Sequence, residues 1–203
     1  MARSDRKPRQ RLDPDSRRSA ILGAAARAFA AHPYSDVTIS MIATEADASN
    51  ALVYRYFENK EGLYVEVVRL AITDLRTKQA AALRALPPGV PVRDRLRATS
   101  IVYLDHIASH PEAWAMPMRQ PGGEPSTAAQ LRTQARHDYV EGLTKLLAPS
   151  TQPRHEYALW GFFGFLDAAC LRWVDDGCPN EHRWPLIDAT LGALEGALGD
   201  WAA

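Results

Sequence analysis

Apolar residues recur along this chain at steps of three and four positions, the spacing that places them on one face of an α-helix. From Asp15 to about Ala31 the stripe consists of Ile21, Leu22, Ala25, Ala28 and Phe29. Similar stripes predict a long helix from Asn59 to about Leu86 and further helices at residues 92–109, 112–118, 126–147, 154–176 and 184–200. Prolines stand in the gaps between these stretches, and no run alternates as a half-buried strand does. The pattern predicts an all-α protein.

Two short apolar segments lie between the first helix and the long one. Thr38 and Ser49 each precede such a segment, and a hydroxyl in that position can cap a helix. The three-residue turn at residues 46–48 contains Asp47, a residue type that tolerates left-handed backbone. Helices this short are unstable alone, so we expect them to pack on their longer neighbours. The arrangement predicts a helix-turn-helix.

The second short helix of such a unit enters the major groove of DNA with its first residues toward the bases. Asn50 can pair with an adenine edge, Leu52 can contact a thymine methyl, and the small Ala51 permits close approach. Where this helix ends, a second group can reach phosphate oxygens: Tyr54, Tyr56 and Lys60. The alternative for either tyrosine is an ordinary half-buried packing role.

The composition fits a globular protein, with 46% hydrophobic and 24% charged residues in 203. The net charge is zero, but residues 1–60 hold ten basic and seven acidic residues. The basic residues 1–15 are predicted to be a flexible arm, which either touches DNA or is only a solvated tail. No segment has the apolar length of a membrane span or of a secretory signal, so we expect a cytoplasmic protein without membrane contact.

A family resemblance emerges from the order of residues in the first third of the chain. Residues 16–65 are similar to the DNA-binding domain of the TetR family of bacterial transcriptional regulators, through a set of matching positions: Ile21, Leu22, Ala25, Phe29, Tyr34, Thr38, Ile42, Ala43, Ser49, Tyr54, Phe57, Lys60 and Leu63. The chain departs from the family at Pro33 and Asp47, where glycine is usual, and at Leu52, where threonine or serine is frequent.

The resemblance implies a homodimer that binds a palindromic operator in double-stranded DNA, usually as a repressor, and is released by a small-molecule effector. It implies a helix-turn-helix DNA-binding domain at residues 16–62, joined by a long helix to a helical ligand-binding and dimerisation domain at residues 63–203. By the same resemblance, Thr38 and Ser40 begin a helix that touches the DNA backbone. Ser49, Asn50, Ala51, Leu52 and Tyr54 belong to the reading helix, and Tyr56 and Lys60 bind phosphates.

The last two helices are apolar on more than one face, which predicts that one face packs inside the protomer and another against a second copy. We assign to that interface Trp160, Leu171, Leu191, Gly192, Leu194 and Gly196. The alternative is that these residues are only protomer core.

Adaptable apolar side chains near a Gly-Gly turn suit a ligand cavity for a mainly apolar effector. The predicted lining is Leu104, Trp114, Met116, Met118, Tyr139 and Phe162, although any of them can equally be a core residue. His106 and His110 have a spacing that suits a metal, but no third ligand accompanies them, so neither a metal nor a cofactor is predicted. Cys170 and Cys178 lack metal-binding spacing.

Two other functional classes remain as alternatives. An all-helical enzyme lacks support, because no nucleophile, metal or phosphate-binding motif is present. An interaction protein whose helix-turn-helix no longer binds DNA would show no salt-dependent affinity for duplexes.

Overall fold

The computed structural model describes residues 13–147 and 150–199 and confirms the all-α prediction. Within those residues there are nine α-helices, one 3₁₀ turn at Asn180–His182, and no strand. The helices are α1 Pro14–Ala31, α2 Ile39–Glu45, α3 Asn50–Tyr56, α4 Lys60–Ala85, α5 Val92–Ser109, α6 Pro111–Arg119, α7 Ser126–Leu146, α8 Pro153–Asp175 and α9 Arg183–Leu198.

Side-chain caps fix the starts of the helices around the turn. The hydroxyl of Thr38 accepts from the amide of Met41 at 3.2 Å, and that of Ser49 accepts from the amide of Leu52 at 3.2 Å. Asp47 adopts left-handed backbone with φ 47°. Each cap satisfies an amide that has no partner within the helix. The helix-turn-helix therefore forms where the sequence predicts it.

Several prolines lie in helices rather than in the gaps between them, among them Pro185 in the first turn of α9. Pro14 is the first residue of α1, where its missing amide hydrogen costs nothing, and Asp13 caps the helix through the amide of Ser16 at 2.9 Å. Residues 13–15 of the predicted arm thus form the cap and the start of α1, and residues 1–12 lie outside the described part of the chain. Pro117, predicted in a gap, lies inside the short helix α6.

The first hydrophobic core joins α1, α2, α3 and the beginning of α4. Its most deeply buried members are fully enclosed: Ile21, Ile42, Val53 and Leu63. Ala128 of α7 belongs to the same core. Because Tyr64, Val65 and Val68 also lie here, the predicted division after residue 62 falls before the end of this core, and the first part of α4 packs with the DNA-binding domain.

The second core lies among α5, α7, α8 and α9. Leu104, Leu159, Phe162, Leu166 and Leu191 are almost completely buried in it. None of the helices in the described residues has the length and apolar character needed to cross a membrane. The long helix α4 contacts α1 at one end and α5 and α7 further along, so it physically connects the two cores.

Candidate functional site

The first turn of α3 presents polar and small side chains on the outside of the molecule. Ser49, Asn50 and Ala51 are exposed and Leu52 is half-buried, whereas Val53 points into the first core. Asn50 donates its side-chain amide to the hydroxyl of Ser40 at 2.8 Å. This bond ties the exposed faces of α2 and α3 together and holds the Asn50 amide in a defined orientation.

The two tyrosines of α3 differ in their surroundings. Tyr54 is 52% exposed, so its ring and hydroxyl are accessible. Tyr56 is half-buried and packs against the first core, which agrees with the alternative of a packing residue. Arg55, which we did not single out from the sequence, is exposed and has no carboxylate partner among the residues described. It adds a positive charge at the end of α3.

Lys60 is engaged within the protein. Its ammonium donates to the carbonyl oxygens of Tyr34 at 2.9 Å and Val37 at 3.0 Å, with a longer contact to that of Ser35 at 3.5 Å. The same nitrogen lies 4.2 Å from the centre of the Tyr34 ring. Lys60 therefore connects the start of α4 to the loop between α1 and α2. From the sequence we assigned Lys60 a phosphate contact and did not predict this connection within the protein.

A cavity of about 670 Å³ lies in the second domain. Helix α4 lines it from Ala71 to Leu83, α5 from Arg95 to His106, and α7 from Arg132 to Leu146. Its walls are largely apolar, including Leu75, Leu83, Leu96, Leu143, Leu146, Phe163 and Leu166. A cavity of this size and character suits a small organic ligand.

The predicted lining residues divide into two groups. Trp114, Met118 and Tyr139 line the cavity. The other three do not: Leu104 and Phe162 are buried in the second core, and Met116 lies off the wall. Phe163, the next residue along α8, faces the cavity instead of Phe162, because one helical step turns a side chain by about 100°.

One end of the cavity carries a network of polar groups. Tyr103 donates its hydroxyl to the Asp167 carboxylate at 2.9 Å and accepts from the indole of Trp114 at 2.9 Å. Arg136 donates to the other Asp167 oxygen at 3.0 Å. Burial raises the pKa of Asp167 above its ordinary value, while its hydrogen bond from Tyr103 and the charge of Arg136 act in the opposite direction. Burial and neighbouring His110 lower the pKa of His106.

A chain of contacts leads from this end of the cavity to the first core. Arg132 lines the cavity and donates to both oxygens of Glu124 at 3.2 Å, and Glu124 accepts from the Tyr64 hydroxyl at 2.7 Å. The Tyr64 ring lies 4.8 Å from that of Phe29 and 5.0 Å from that of Tyr34. Burial and the bond to Glu124 raise the pKa of Tyr64 to about 12. Cavity and DNA-binding domain thus share one hydrogen-bonded network.

The outer surface of α8 and α9 is apolar and exposed. We call it the α8–α9 face and define it by its exposed residues Tyr157, Gly161, Gly164, Phe165, Ala168, Ala189 and Gly192. Tyr157 is 75% and Phe165 is 42% exposed. An added Cβ at Gly161, Gly164 or Gly192 would meet nothing within 4 Å. This face is therefore accessible to a second protein molecule.

The residues assigned to the interface from the sequence are divided between this face and the core. Gly192 is exposed, and three others lie half-buried near the face: Trp160, Leu171 and Gly196. Leu191 and Leu194 are only 2% exposed within one protomer, because their sides of α9 pack in the second core. They have no surface to offer a second copy, so the assignment of these two residues to the interface is wrong.

His106 and His110 have ring centres 6.4 Å apart. In the described parts of the chain, no group of three histidine, cysteine or acidic side chains is placed to hold a metal ion.

Sequence reasoning missed the residues whose roles depend on distant contacts. Tyr103 meets Asp167 and Glu124 meets Tyr64 across 64 and 60 residues, so local spacing carries no sign of these bonds. The apolar stripe of α4 could have indicated the cavity. Leu75 and Leu83 lie beyond the first core, so another apolar surface was needed to cover them, and both line the cavity.

Comparison with known proteins agrees with this geometry. Residues 21–67 match the family described as "Bacterial regulatory proteins, tetR family". The chain is 42% identical over 83 residues to the HTH-type transcriptional regulator BetI of Agrobacterium fabrum, covering 40% of this chain and 38% of that protein. It is 33% identical over 101 residues to the HTH-type transcriptional repressor SCO4008 of Streptomyces coelicolor, covering 49% and 47%. The matches thus span less than half the length of these relatives.

The likeness in fold extends further than the likeness in sequence. A tetR-family transcriptional regulator from Streptomyces coelicolor superposes with a TM-score of 0.74 over 92% of this chain and 80% of that one, at 23% identity. The second domain therefore shares its fold with solved members of that family, while its ligand and partners follow only from its own residues.

Proposed function

Because this chain belongs to the TetR family of bacterial regulatory proteins, we propose that it is a cytoplasmic transcriptional regulator that binds a palindromic operator as a homodimer. In this proposal it acts as a repressor, and a small, mainly apolar effector bound in the cavity releases it from DNA. The observation that carries the proposal is the first turn of α3, whose polar residues are exposed on a short helix that Ser49 caps.

Base reading is assigned to the start of α3. Asn50 pairs with an adenine edge, and its amide exchanges the Ser40 hydroxyl for that edge when DNA binds. Leu52 contacts a thymine methyl, and Ala51 keeps the helix close to the duplex. Backbone contacts come from residues around this helix: Thr38, Ser40, Ser49, Tyr54, Arg55 and Tyr56.

Lys60 supports these contacts indirectly. Its ammonium nitrogen lies within 3.5 Å of three carbonyl oxygens in residues 34–37, the segment that leads into the cap of α2. We propose that Lys60 acts on DNA binding by setting the position of α2. A direct phosphate contact would require it to give up at least one of these bonds.

The α8–α9 face supplies the dimer contact. Glycine and alanine on both helices permit close approach of a symmetry mate, and Tyr157 and Phe165 add apolar area that is exposed in one protomer. Two copies are needed because one short helix contacts few base pairs, and a pair can read half-sites about 34 Å or somewhat more apart.

Release follows the network that joins the cavity to the first core. A ligand that moves Arg132 also moves Glu124, and with it the Tyr64 hydroxyl on α4. Since Tyr64 packs against Phe29 and Tyr34, this displacement reaches the helices that carry α3. Ligand and DNA then favour different positions of α4, which is the condition for coupling between two sites.

The experiment is to select genomic DNA fragments with the purified full-length chain and to measure the affinity of selected duplexes at several salt concentrations. We expect enrichment of a palindrome and a steep fall in affinity with salt, because phosphate contacts release counterions. No enriched sequence and no duplex binding at low salt would contradict the proposal and favour an interaction protein without DNA binding.

A further inference from the structure

The charged side chains of the cavity wall differ in whether they form an ion pair. Most of its charged side chains have a partner of opposite sign: Arg76 with Asp138, Arg132 with Glu124, Arg136 with Asp167, and Lys145 with Glu141. Arg95 also lines the cavity, but its guanidinium makes no hydrogen bond or ion pair with the residues that the structure describes. Within the described part of the chain, Arg95 is therefore a positive charge of the wall without a partner of opposite sign.

The arginines nearest to Arg95 on α5 do form ion pairs with acidic residues. Arg93 pairs with Glu195, and Arg97 pairs with Asp94. Both lie two residues from Arg95, on parts of the helix that do not line the cavity. Arg95 is half-buried and faces the apolar wall near Leu96, where the N–H donors of its guanidinium lack acceptors from the protein.

The cavity is long enough to separate a charged group from an apolar body. Its lining on α5 runs from Arg95 to His106, and a helical segment of that length extends over three turns. On α4 the lining runs from Ala71 to Leu83, and on α7 from Arg132 to Leu146, so both are longer still. Leucine side chains and Phe163 line the walls, and Tyr103, which donates to Asp167, lies eight residues along α5 from Arg95.

The two carboxylates of the wall do not call for a cationic ligand. Asp167 already accepts from Tyr103 and Arg136, and Asp138 accepts from Arg76 and Gln134. A ligand cation would have to displace a guanidinium from either acid. An anion near Arg95 displaces nothing and supplies acceptors that match a planar guanidinium.

From these observations we infer that the cavity binds an elongated amphipathic carboxylate, with the carboxylate on Arg95 and the apolar body between α4, α5 and α7. The inference rests on the proposed function only in taking this cavity as the effector site. It makes Arg95 a specificity-determining residue: it selects the ligand's charge, while the leucine walls select its apolar body.

Three probes with the same ten-carbon chain test the head group: decanoate, 1-decanol and decylammonium. Affinities for the full chain are measured by calorimetry without DNA, below the concentrations at which the probes aggregate. Decanoate should bind at least roughly tenfold more tightly than the other two, the size of one charge-assisted interaction. Acetate, which has the head group alone, should not bind measurably.

Two variants locate the charge. Arg95→Gln should lower decanoate affinity to that of 1-decanol and leave 1-decanol binding unchanged. Arg93→Gln removes the same charge from the outer side of α5 and should preserve the preference for decanoate. Equal binding of all three probes, a preference for decylammonium, absence of binding by any probe, or equal effects of the two substitutions would each overturn the inference.

The outcome is separable from that of the proposed function. Failure of decanoate to bind a chain that still selects a palindromic duplex rejects the ligand class and leaves DNA regulation intact. Binding of decanoate through Arg95 without any effect on a bound duplex supports the site and contradicts its role in release.

Discussion

Replacing Lys60 with methionine separates a structural role from direct contact with DNA. Methionine keeps an unbranched apolar stem and removes the ammonium, which donates to the carbonyls of Tyr34 and Val37 and lies over the Tyr34 ring. One charge-assisted hydrogen bond contributes about 1.5–3 kcal/mol. A half-exposed cation–π contact adds about 0.5–1 kcal/mol.

Because the two bonds share one partly exposed ammonium, we count them together as about 1.5–2 kcal/mol, and with the ring contact Lys60→Met should reduce the free energy of unfolding by about 2–3 kcal/mol. For a chain of this size that corresponds to a fall in melting temperature of about 4–12 °C. Urea and thermal unfolding followed by far-ultraviolet circular dichroism measure both. Lys78→Met is the matched control on α4, because Lys78 is exposed and, among the residues described, its ion-pair partner is Asp74 on the same helix. It should change stability by less than about 0.5 kcal/mol.

DNA binding by the same variants completes the test. At a temperature where both are folded, Lys60→Met should weaken all duplexes about equally, with little change in the slope of affinity against salt. Unchanged stability combined with a slope that is flatter by about one unit would refute this reasoning and identify Lys60 as a direct phosphate contact.

Three further perturbations test the remaining assignments. Asn50→Ala should relax discrimination at one base position at a cost of about 1–3 kcal/mol, measured on a panel of operator variants; equal loss on every sequence would contradict base reading. Gly164→Arg on the α8–α9 face should yield folded monomers in sedimentation, because a Cβ at Gly164 meets no atom of the described residues within 4 Å, whereas Gln130→Arg at an exposed position of α7 should leave the dimer intact. Tyr64→Phe should leave the fold intact and reduce the effect of a cavity ligand on DNA affinity, since it cuts the link to Glu124; an undiminished effect would exclude this route. Because the Tyr64 pKa is raised to about 12 from 10.0, wild-type stability that is present below pH 10 should be lost as the pH rises toward 12, and the phenylalanine variant should lose less.

The sequence was informative where structure depends on neighbours along the chain. Helix starts follow from caps such as Thr38 and Ser49, and the turn from the left-handed tolerance of Asp47, because these effects act over three or four residues. The family resemblance extended this to the roles of the residues of α3.

What the sequence could not provide depends on which face of a helix meets which neighbour. On α9 the periodicity marks both Leu191 and Gly192 as interface candidates, but only the assembled core decides that Leu191 faces inward. For the same reason, the sequence assigned Phe162 to the cavity, whereas the structure places Phe163 in its wall. The bonds of Lys60 span 23 and 26 residues, so no local pattern could indicate them.

The central claim is that two copies of this chain place their α3 helices in successive major grooves of one duplex. The most direct test is the mass of the protein–DNA complex, measured by sedimentation on a selected palindrome and on a duplex with one half-site scrambled. The account predicts two chains per intact palindrome and a large loss of affinity on the scrambled duplex. One chain per duplex with equal affinity for both would contradict it.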